Sequence, residues 1–400
     1  MKALRASKGI AFLLSAAILA CFIGASSRTA GAADTSPILI GATVSETGSY
    51  AEDGKYALQG YQLYVNQQNA KGGWLGRKLQ LKVYDDASDG ATALTEYQKL
   101  IQQDHVNIIV GPYSSAITAA VANVADQYKM PMISPEVASV APFKRGLKYI
   151  FQGTATSDKY VAGAIAIAKE YGYKRIALTG EDTAFPRSIA AAVPDMASKA
   201  GLDLVFNELY PHNASDYTAI VQKIKQANPD VVLAISYFPD SVGIIRALKQ
   251  ANVTPKELFF TIGPAEPNFG KEVGSDATGV LFASNWNAEL KTEGNAAFAK
   301  AFKAQFGIPA DYHSAQNYAA MQVLAAAISY AKGLDNDKIR DFMATHEVET
   351  VCGTYKVDST GIQTGYDSLT EQWQGGKQLV VYPPKYAQAK MLNPYQWASK

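Results

Sequence analysis

The sequence predicts an α/β protein of two similar lobes, each a parallel sheet flanked by helices, joined by a hinge that the chain crosses three times. Two observations lead to this prediction. Short apolar segments alternate with helical segments from residue 37 onward, and the alternation starts again near residue 154. The chain has 400 residues, which suits two domains of medium size. Strands that alternate with helices of this length are typical of parallel sheets covered on both faces.

The elements follow in order along the chain. In the first lobe, strands are predicted at 37–44, 78–85, 107–110 and 130–134, and helices at 56–69, 91–103 and 114–128. In the second lobe, helices are predicted at 160–171, 190–200, 218–226 and 242–251, and strands at 175–179, 203–209, 231–235 and 258–261. Helices at 295–306 and 314–331 are expected to return to the first lobe. Strands near 355–357 and 379–382 are expected to finish the second.

Small residues mark the three predicted crossings, at 153–154, 283–286 and 353–354. The first lobe is then expected to comprise residues 37–153 plus 284–352. The second is expected to comprise residues 154–283 plus 353–400. Several crossings side by side make a hinge that closes along one path.

Residues 1–33 have the composition of a secretory signal peptide. Three positive charges between Met1 and Lys8 precede an apolar run, and small residues at 30–32 offer a cleavage site. This predicts export to the periplasm. In the alternative interpretation, residues 18–21 form a lipobox and Cys21 becomes a lipid-anchored first residue.

The composition gives no reason to expect a nucleic-acid or membrane partner. The net charge is +1, with 48% hydrophobic and 18% charged residues. A small-molecule partner is therefore expected.

Motifs for enzyme chemistry are missing from the sequence. The four histidines do not form an HExxH motif, and no G-x-S-x-G elbow or P-loop occurs. Cys and His lack metal-ligand spacing. Once Cys21 is removed with the signal, Cys352 is a lone thiol, interpreted as a buried apolar residue rather than a nucleophile. The sequence therefore predicts no enzyme activity, no cofactor and no metal.

The stretch at 106–121, VNIIVGPYSSAITAAV, gives a first candidate for ligand binding. It predicts a buried strand, a Gly-Pro loop and a helix that begins at Ser114 or Ser115. A hydroxyl and free N–H groups at a helix start can hold an anion. In the alternative, the two serines only cap their own helix.

Ligands of open parallel sheets bind beyond the carboxyl ends of the strands. The loops predicted there are 45–50, 111–115, 134–138, 181–185, 236–238 and 263–266. Aromatic walls with sparse polar groups describe a small-molecule cleft, although tyrosines are also common surface residues in a chain with 23 of them. The candidate ligand-binding residues are Tyr50, Tyr113, Ser114, Ser115, Ser134, Glu136, Val137, Ala138, Phe185, Tyr237, Ala265 and Glu266.

Several motifs resemble the periplasmic binding proteins related to the leucine/isoleucine/valine-binding protein. These are NAKGGWLGRK at 69–78 and VYDDASD at 83–89, together with TGSYA at 47–51, GPYSS at 111–115, MISP at 132–135 and GTY at 353–355. The similarity runs from about residue 37 to residue 382. The resemblance implies a type I periplasmic binding fold that captures a solute between its lobes and passes it to the membrane permease subunits of an ABC importer.

The resemblance also implies roles for individual residues. The position of Ser115 holds a ligand carboxylate, helped by the loop at 134–138. The positions of Phe185 and Tyr237 close over the ligand from the second lobe. A carboxylate after the strand at 258–261 holds an α-amino group. The protein is expected to act as a monomer.

The sequence departs from the branched-chain amino acid pattern at several of these positions. Ala138 lacks a hydroxyl usual there, and Glu136 adds an acid. Ala265 stands at the position where the family has the acid that binds the amino group, and Glu266 is one residue later. Phe185 stands where Tyr is common, and Pro186 replaces a usual Gly. A buried ammonium without a carboxylate is costly. The ligand is therefore expected to be either an amino acid or an aromatic or aliphatic carboxylic acid or small amide. A sensory ligand-binding role on the same fold is a further alternative.

Overall fold

The computed structural model describes residues 35–398. Its first sheet consists of five parallel strands. The strands are β1 (Ile38–Val44), β2 (Leu79–Asp85), β3 (Ile108–Val110), β4 (Met132–Ser134) and β5 (Ile150–Gln152). Their order across the sheet is β2-β1-β3-β4-β5. All residues of β3 and β4 are buried, as expected for central strands covered on both faces.

The second sheet has seven strands, five of them parallel. Its strands are β6 (Arg175–Glu181), β7 (Asp203–Tyr210), β8 (Val231–Ile235), β9 (Glu257–Phe260), β10 (Leu281–Ser284), β13 (Leu369–Gln374) and β14 (Lys377–Tyr382). Between β10 and β13 the chain forms a separate hairpin of β11 (Val348–Thr350) and β12 (Gly353–Tyr355). The order in the sheet is β14-β13-β10-β9-β8-β6-β7, and β13 and β14 run antiparallel to their neighbours.

Helices cover both sheets. They are α1 (Ala51–Ala70), α2 (Gly90–Gln102), α3 (Ser115–Gln127), α4 (Ser157–Glu170), α5 (Ala184–Ala200), α6 (Thr218–Ala227), α7 (Phe238–Gln250), α8 (Phe269–Val273), α9 (Asn295–Phe306), α10 (Tyr312–Ala331) and α11 (Asn336–Thr345). Helix α10 packs along α1 and α11. The helices α9, α10 and α11 thus pack on the side of the first sheet.

The chain after residue 353 differs from the prediction at its first strand. Strand β12 pairs with β11 rather than with the second sheet. Tyr355 lies in the apolar cluster of the first sheet, where its hydroxyl donates to the Met343 carbonyl over 2.9 Å. Because Tyr355 is buried there, the chain joins the second sheet only at β13.

Helix α1 begins at Ala51 instead of 56, and helices α5 and α7 also begin earlier than predicted. Helix α5 starts at Ala184 instead of 190, and α7 starts at Phe238 instead of 242. Each carries a proline in its first turn, Pro186 and Pro239, where the missing N–H has no intrahelical partner to lose. Phe185 thus lies in the first turn of α5, and Tyr237 is the N-cap residue of α7.

The predicted signal peptide at 1–33, including Cys21, lies outside the described residues. Within residues 35–398, none of the helices has the length and apolar character needed to cross a bilayer. Cys352 is buried, and its burial raises the pKa of the thiol. The thiol is therefore a packed, protonated group.

Close packing of α1 against α10 depends on Gly60. A Cβ at this position would lie 2.3 Å from the Ser314 carbonyl oxygen, a backbone atom that cannot rotate away. We expect Gly60→Ala to lower the free energy of unfolding by about 1–3 kcal/mol, measured by urea denaturation. Gly333→Ala, where an added Cβ has open space, is the control. Equal stability of the two variants would contradict this packing.

Candidate functional site

The loop from β3 into α3 presents the start of a helix at the carboxyl edge of the first sheet. Ser114 has a φ of 78°, and its hydroxyl oxygen accepts from the Ile117 N–H over 3.4 Å. The Ser115 hydroxyl oxygen accepts from the Ser139 N–H over 3.1 Å and keeps its own proton to donate. Ser114 is therefore a cap, while Ser115 and the first-turn N–H groups can bind an anion.

Gly111 allows the loop between β3 and α3 to pack closely against the chain at the end of β4. A Cβ on Gly111 would lie 2.6 Å from the Ser134 Cα. The following loop is held by Gln152, whose amide donates to the carbonyls of Val137 and Ala138 over 2.7 and 3.2 Å. The main chain at 134–138 is thus fixed beside the start of α3.

Loops from both sheets enclose a small cavity beside Ser115. Its lining residues are Tyr113, Ser114, Ser115, Glu136, Ala138, Tyr160, Phe185, Tyr237, Ile262, Tyr312 and His313. The remaining space is about 10 Å³, room for about one water molecule. The side chains therefore meet across the cleft in a closed arrangement.

Seven of the candidate residues line this cavity: Tyr113, Ser114, Ser115, Glu136, Ala138, Phe185 and Tyr237. Tyr50 lies just behind, with its ring centroid 4.7 Å from that of Tyr237. Ser134 and Val137 are buried in the adjoining loop. Ala265 ends a short 3-10 helix and faces a separate, wider groove. Glu266 is fully buried and is not among the lining residues.

Aromatic rings form most of the wall. Tyr113 and Tyr237 have centroids 6.4 Å apart, and Phe185 lies 6.3 Å from Tyr237. Tyr160 packs edge-on against Phe185 at 5.1 Å. Edge-on and tilted pairs at these distances are favourable, so the rings make an apolar wall of fixed shape.

A buried cluster of charged groups lies at one side of the cavity, centred on His313. The His313 Nδ1 is 3.1 Å from Glu136 Oε2, and the Nε2 is 3.5 Å from Asp53 Oδ1 and 3.4 Å from Glu266 Oε1. All four side chains are at most 2% exposed. The Asn317 amide donates to Glu136 Oε1 over 2.6 Å.

Burial and mutual charge shift the pKa values of these groups. Burial lowers the pKa of His313, but Glu136, Asp311 and Asp53 outweigh it and raise the value to about 9. Burial raises the pKa of Glu136 to about 7 and that of Asp53 to about 6, against the opposing effect of His313. Burial, Asp311 and Asp53 raise the pKa of Glu266 well above its usual value. The imidazole is therefore the cation that compensates the surrounding carboxylates.

Sequence reasoning missed four lining residues: Tyr160, Ile262, Tyr312 and His313. It also missed Asp53. Tyr160 lies within α4, and Tyr312 and His313 lie in the first turn of α10, so none of them follows a strand directly. A search restricted to the loops after strands could find only Ile262, which lies two residues beyond the end of β9.

Comparisons with known proteins agree with this architecture. A family model described as periplasmic binding protein matches residues 37–377. The chain is 28% identical over 407 residues to Leu/Ile/Val-binding protein homolog 8 of Brucella suis biovar 1 (strain 1330), covering 95% of this chain and 98% of the relative.

Solved structures share the fold at low identity. The leucine-binding protein LivK of Thermotoga maritima MSB8 has a TM-score of 0.78 at 20% identity, covering 86% of this chain and 97% of its own. A solute-binding protein of R. palustris in complex with benzoate has a TM-score of 0.78 at 20% identity, with coverages of 86% and 95%. LivJ of Streptococcus pneumoniae in complex with isoleucine has a TM-score of 0.77 at 22% identity, with coverages of 90% and 100%.

These matches confirm the predicted family and the type I fold. The matched proteins are substrate-binding proteins rather than enzymes, in agreement with the sequence analysis. The chain belongs to the periplasmic binding proteins, the solute-binding proteins of ABC transporters.

Proposed function

We propose that this protein captures an apolar α-amino acid between its two lobes and delivers it to the permease subunits of an ABC importer. One observation carries the choice of ligand: an anion-binding helix start and a carboxylate, Glu136, line the same cavity. A zwitterion matches both groups. A simple carboxylic acid matches only the first.

The ligand carboxylate binds at the start of α3. The Ser115 hydroxyl and the first-turn N–H groups donate to it, and the helix dipole favours a negative charge there. These donors are fixed by the contacts of Ser115 with Ser139, so little reorganisation accompanies binding.

The ligand ammonium binds at Glu136. Oε2 of this carboxylate faces His313 and Oε1 accepts from Asn317, while a carboxylate has about four lone-pair positions in all. Glu136 therefore keeps acceptor capacity for an ammonium. The role that the family resemblance implies for an acid near residues 265–266 is assigned here to Glu136, since Ala265 faces another groove and Glu266 is absent from the cavity lining.

The ligand side chain packs among Tyr160, Phe185 and Tyr237. These rings come from helices of the second sheet, whereas Ser115 begins α3 and Glu136 follows β4, both elements of the first sheet. Because the closed cavity holds only about 10 Å³, the lobes separate to admit an amino acid and close around it afterwards.

We place the first lobe at 37–153 plus 284–368 and the second at 154–283 plus 369–398. The third crossing thus lies at the start of β13 rather than at 353–354, because the preceding segment packs on the first sheet. Contacts between crossing segments support a hinge here. The amides of Asn285 and Gln316 both donate to the Thr154 hydroxyl, over 3.1 and 2.6 Å. The Tyr366 hydroxyl donates to the Gly153 carbonyl over 2.6 Å. We further propose that the mature protein is a periplasmic monomer.

An aromatic carboxylic acid is the second candidate ligand. The aromatic wall and the fold shared with a benzoate complex support it. The carboxylate of Glu136 in the same buried cavity opposes it, because an acid without an ammonium places a second negative charge close to Glu136 and like charges repel.

Matched ligand pairs test the proposal. Ligand-stripped protein, kept in chelator, is titrated calorimetrically with L-leucine and 4-methylpentanoate, and with L-phenylalanine and 3-phenylpropionate; benzoate is included. The members of each pair differ only in the ammonium. We expect at least one amino acid to bind, and its deaminated partner to bind at least about thirtyfold more weakly. Binding of the acids alone would overturn the amino acid assignment in favour of the second candidate.

A further inference from the structure

We propose that Asp53, Glu266 and His313 form a binding site for one divalent transition-metal ion of the zinc type. The three side chains come from different elements: α1, the loop after β9 and α10. The inference goes beyond the proposed function, because none of these ligand atoms is assigned to the amino acid.

The spacing of the three side chains fits tetrahedral coordination. Their ligand atoms all lie within 4.8 Å of one another, and the Nε2 atom is 3.4 and 3.5 Å from the two carboxylate oxygens. Zinc binds nitrogen and oxygen at about 2.0–2.2 Å, which gives tetrahedral ligand-to-ligand distances of roughly 3.3–3.6 Å. The two distances from the Nε2 match this range, and the two carboxylate oxygens lie no more than 4.8 Å apart, so a shift of the carboxylates is enough to hold an ion between the three atoms.

The side-chain atoms around the proposed ion position have no hydrogen-bond partners in the described residues. Both oxygens of Asp53, both oxygens of Glu266 and the His313 Nε2 have no hydrogen-bond partner within the described part of the chain. All three side chains are at most 1% exposed. Buried polar atoms are nearly always paired, and a metal ion would satisfy this whole set at once.

Glu136 and Asn317 orient His313 for metal coordination. With Glu136 accepting from the Nδ1–H, the Nε2 faces Asp53 and Glu266, and it coordinates the ion after releasing its own proton. Asn317 in turn fixes the Glu136 carboxylate. A carboxylate on the far nitrogen of a histidine is the usual support for a metal ligand of this type.

The donor set selects the class of ion. One imidazole nitrogen with two carboxylates suits Zn²⁺ and its first-row neighbours, whereas Ca²⁺ and Mg²⁺ prefer oxygen ligands and higher coordination numbers. Asp53 and His313 lie on helices of the first sheet, and Glu266 follows a strand of the second. A bound ion would therefore hold the two lobes in the closed arrangement.

The test uses the mature protein without amino acid ligand. After EDTA treatment and removal of the chelator, Zn²⁺ and Co²⁺ are titrated, with elemental analysis for stoichiometry and visible absorption for Co²⁺ geometry. We expect one ion per chain and the intense absorption of four-coordinate Co²⁺. Failure of the wild-type protein to bind either ion at micromolar concentration would overturn the proposal, without any variant that has to fold.

A matched pair of variants locates the site. We expect Glu266→Gln to weaken Zn²⁺ binding by more than about 100-fold, beyond the effect of changes next to metal ligands. Glu257→Gln, another buried glutamate whose oxygens lack partners, should bind Zn²⁺ like the wild type. Equal Zn²⁺ affinity and an equal Co²⁺ spectrum in Glu266→Gln would exclude this site. Because the amino acid titrations are made in chelator, they succeed or fail independently.

Discussion

Replacement of Glu136 by Gln is expected to weaken amino acid binding by at least about thirtyfold. Removing one charge of a buried, hydrogen-bonded pair costs about 2–5 kcal/mol, and each 1.4 kcal/mol is a factor of ten in affinity. Gln preserves the length of the side chain and one oxygen acceptor. The loss therefore measures the charge that faces the ligand ammonium, determined by calorimetric titration with the best amino acid.

The deaminated acid provides the internal control. It has no ammonium, so Glu136→Gln should leave its weak binding unchanged or improve it. The ratio of the two affinities should fall. Ser115→Ala, at the carboxylate end, should weaken both ligands alike, since both carry a carboxylate. Equal losses for both ligands in Glu136→Gln would show that Glu136 acts only on the shape of the site.

Regular apolar segments made most of the fold predictable. Strand β8, with the sequence VVLAI, and helix α9 begin and end where the sequence indicates. The carboxyl-end rule for parallel strands led to Ser115 and Glu136, because both follow strands of the first sheet directly.

Elements that depend on distant partners were not predictable in the same way. Strand β13 reads LTEQWQ, and Thr370, Glu371 and Gln372 are buried in it through long-range contacts. The Gln372 amide, for example, donates to the carbonyls of Gly279 and Leu392.

The buried charged cluster around His313 was not predicted from the sequence, for a related reason. Metal-ligand motifs are recognised when ligands lie close in sequence, as on one helix face. Asp53, Glu266 and His313 are brought together only by the packing of α1 and α10 and by the approach of the loop after β9. The lone His313 carries no local signal of this environment.

Replacement of His313 by Gln is expected to lower the free energy of unfolding by about 3–5 kcal/mol at pH 7 in the presence of chelator. Breaking a buried ion pair by removing one partner has this cost, because it leaves an uncompensated buried charge. With its pKa raised to about 9, His313 is protonated at pH 7 in the metal-free protein. Its cation is the one nearest to Asp53, Glu136 and Glu266. Urea denaturation measures the loss.

A double variant separates charge from packing. If the cost arises from the uncompensated carboxylate of Glu136, then Glu136→Gln added to His313→Gln should restore part of the stability, so the two effects are not additive. His346→Gln, at an exposed histidine, should change stability by no more than about 0.5 kcal/mol. A His313→Gln variant as stable as the His346→Gln control would mean that protons on the carboxylates, rather than the imidazolium, neutralise the cluster. Additive losses in the double variant would assign the role of His313 to its packing between Tyr113 and Tyr312.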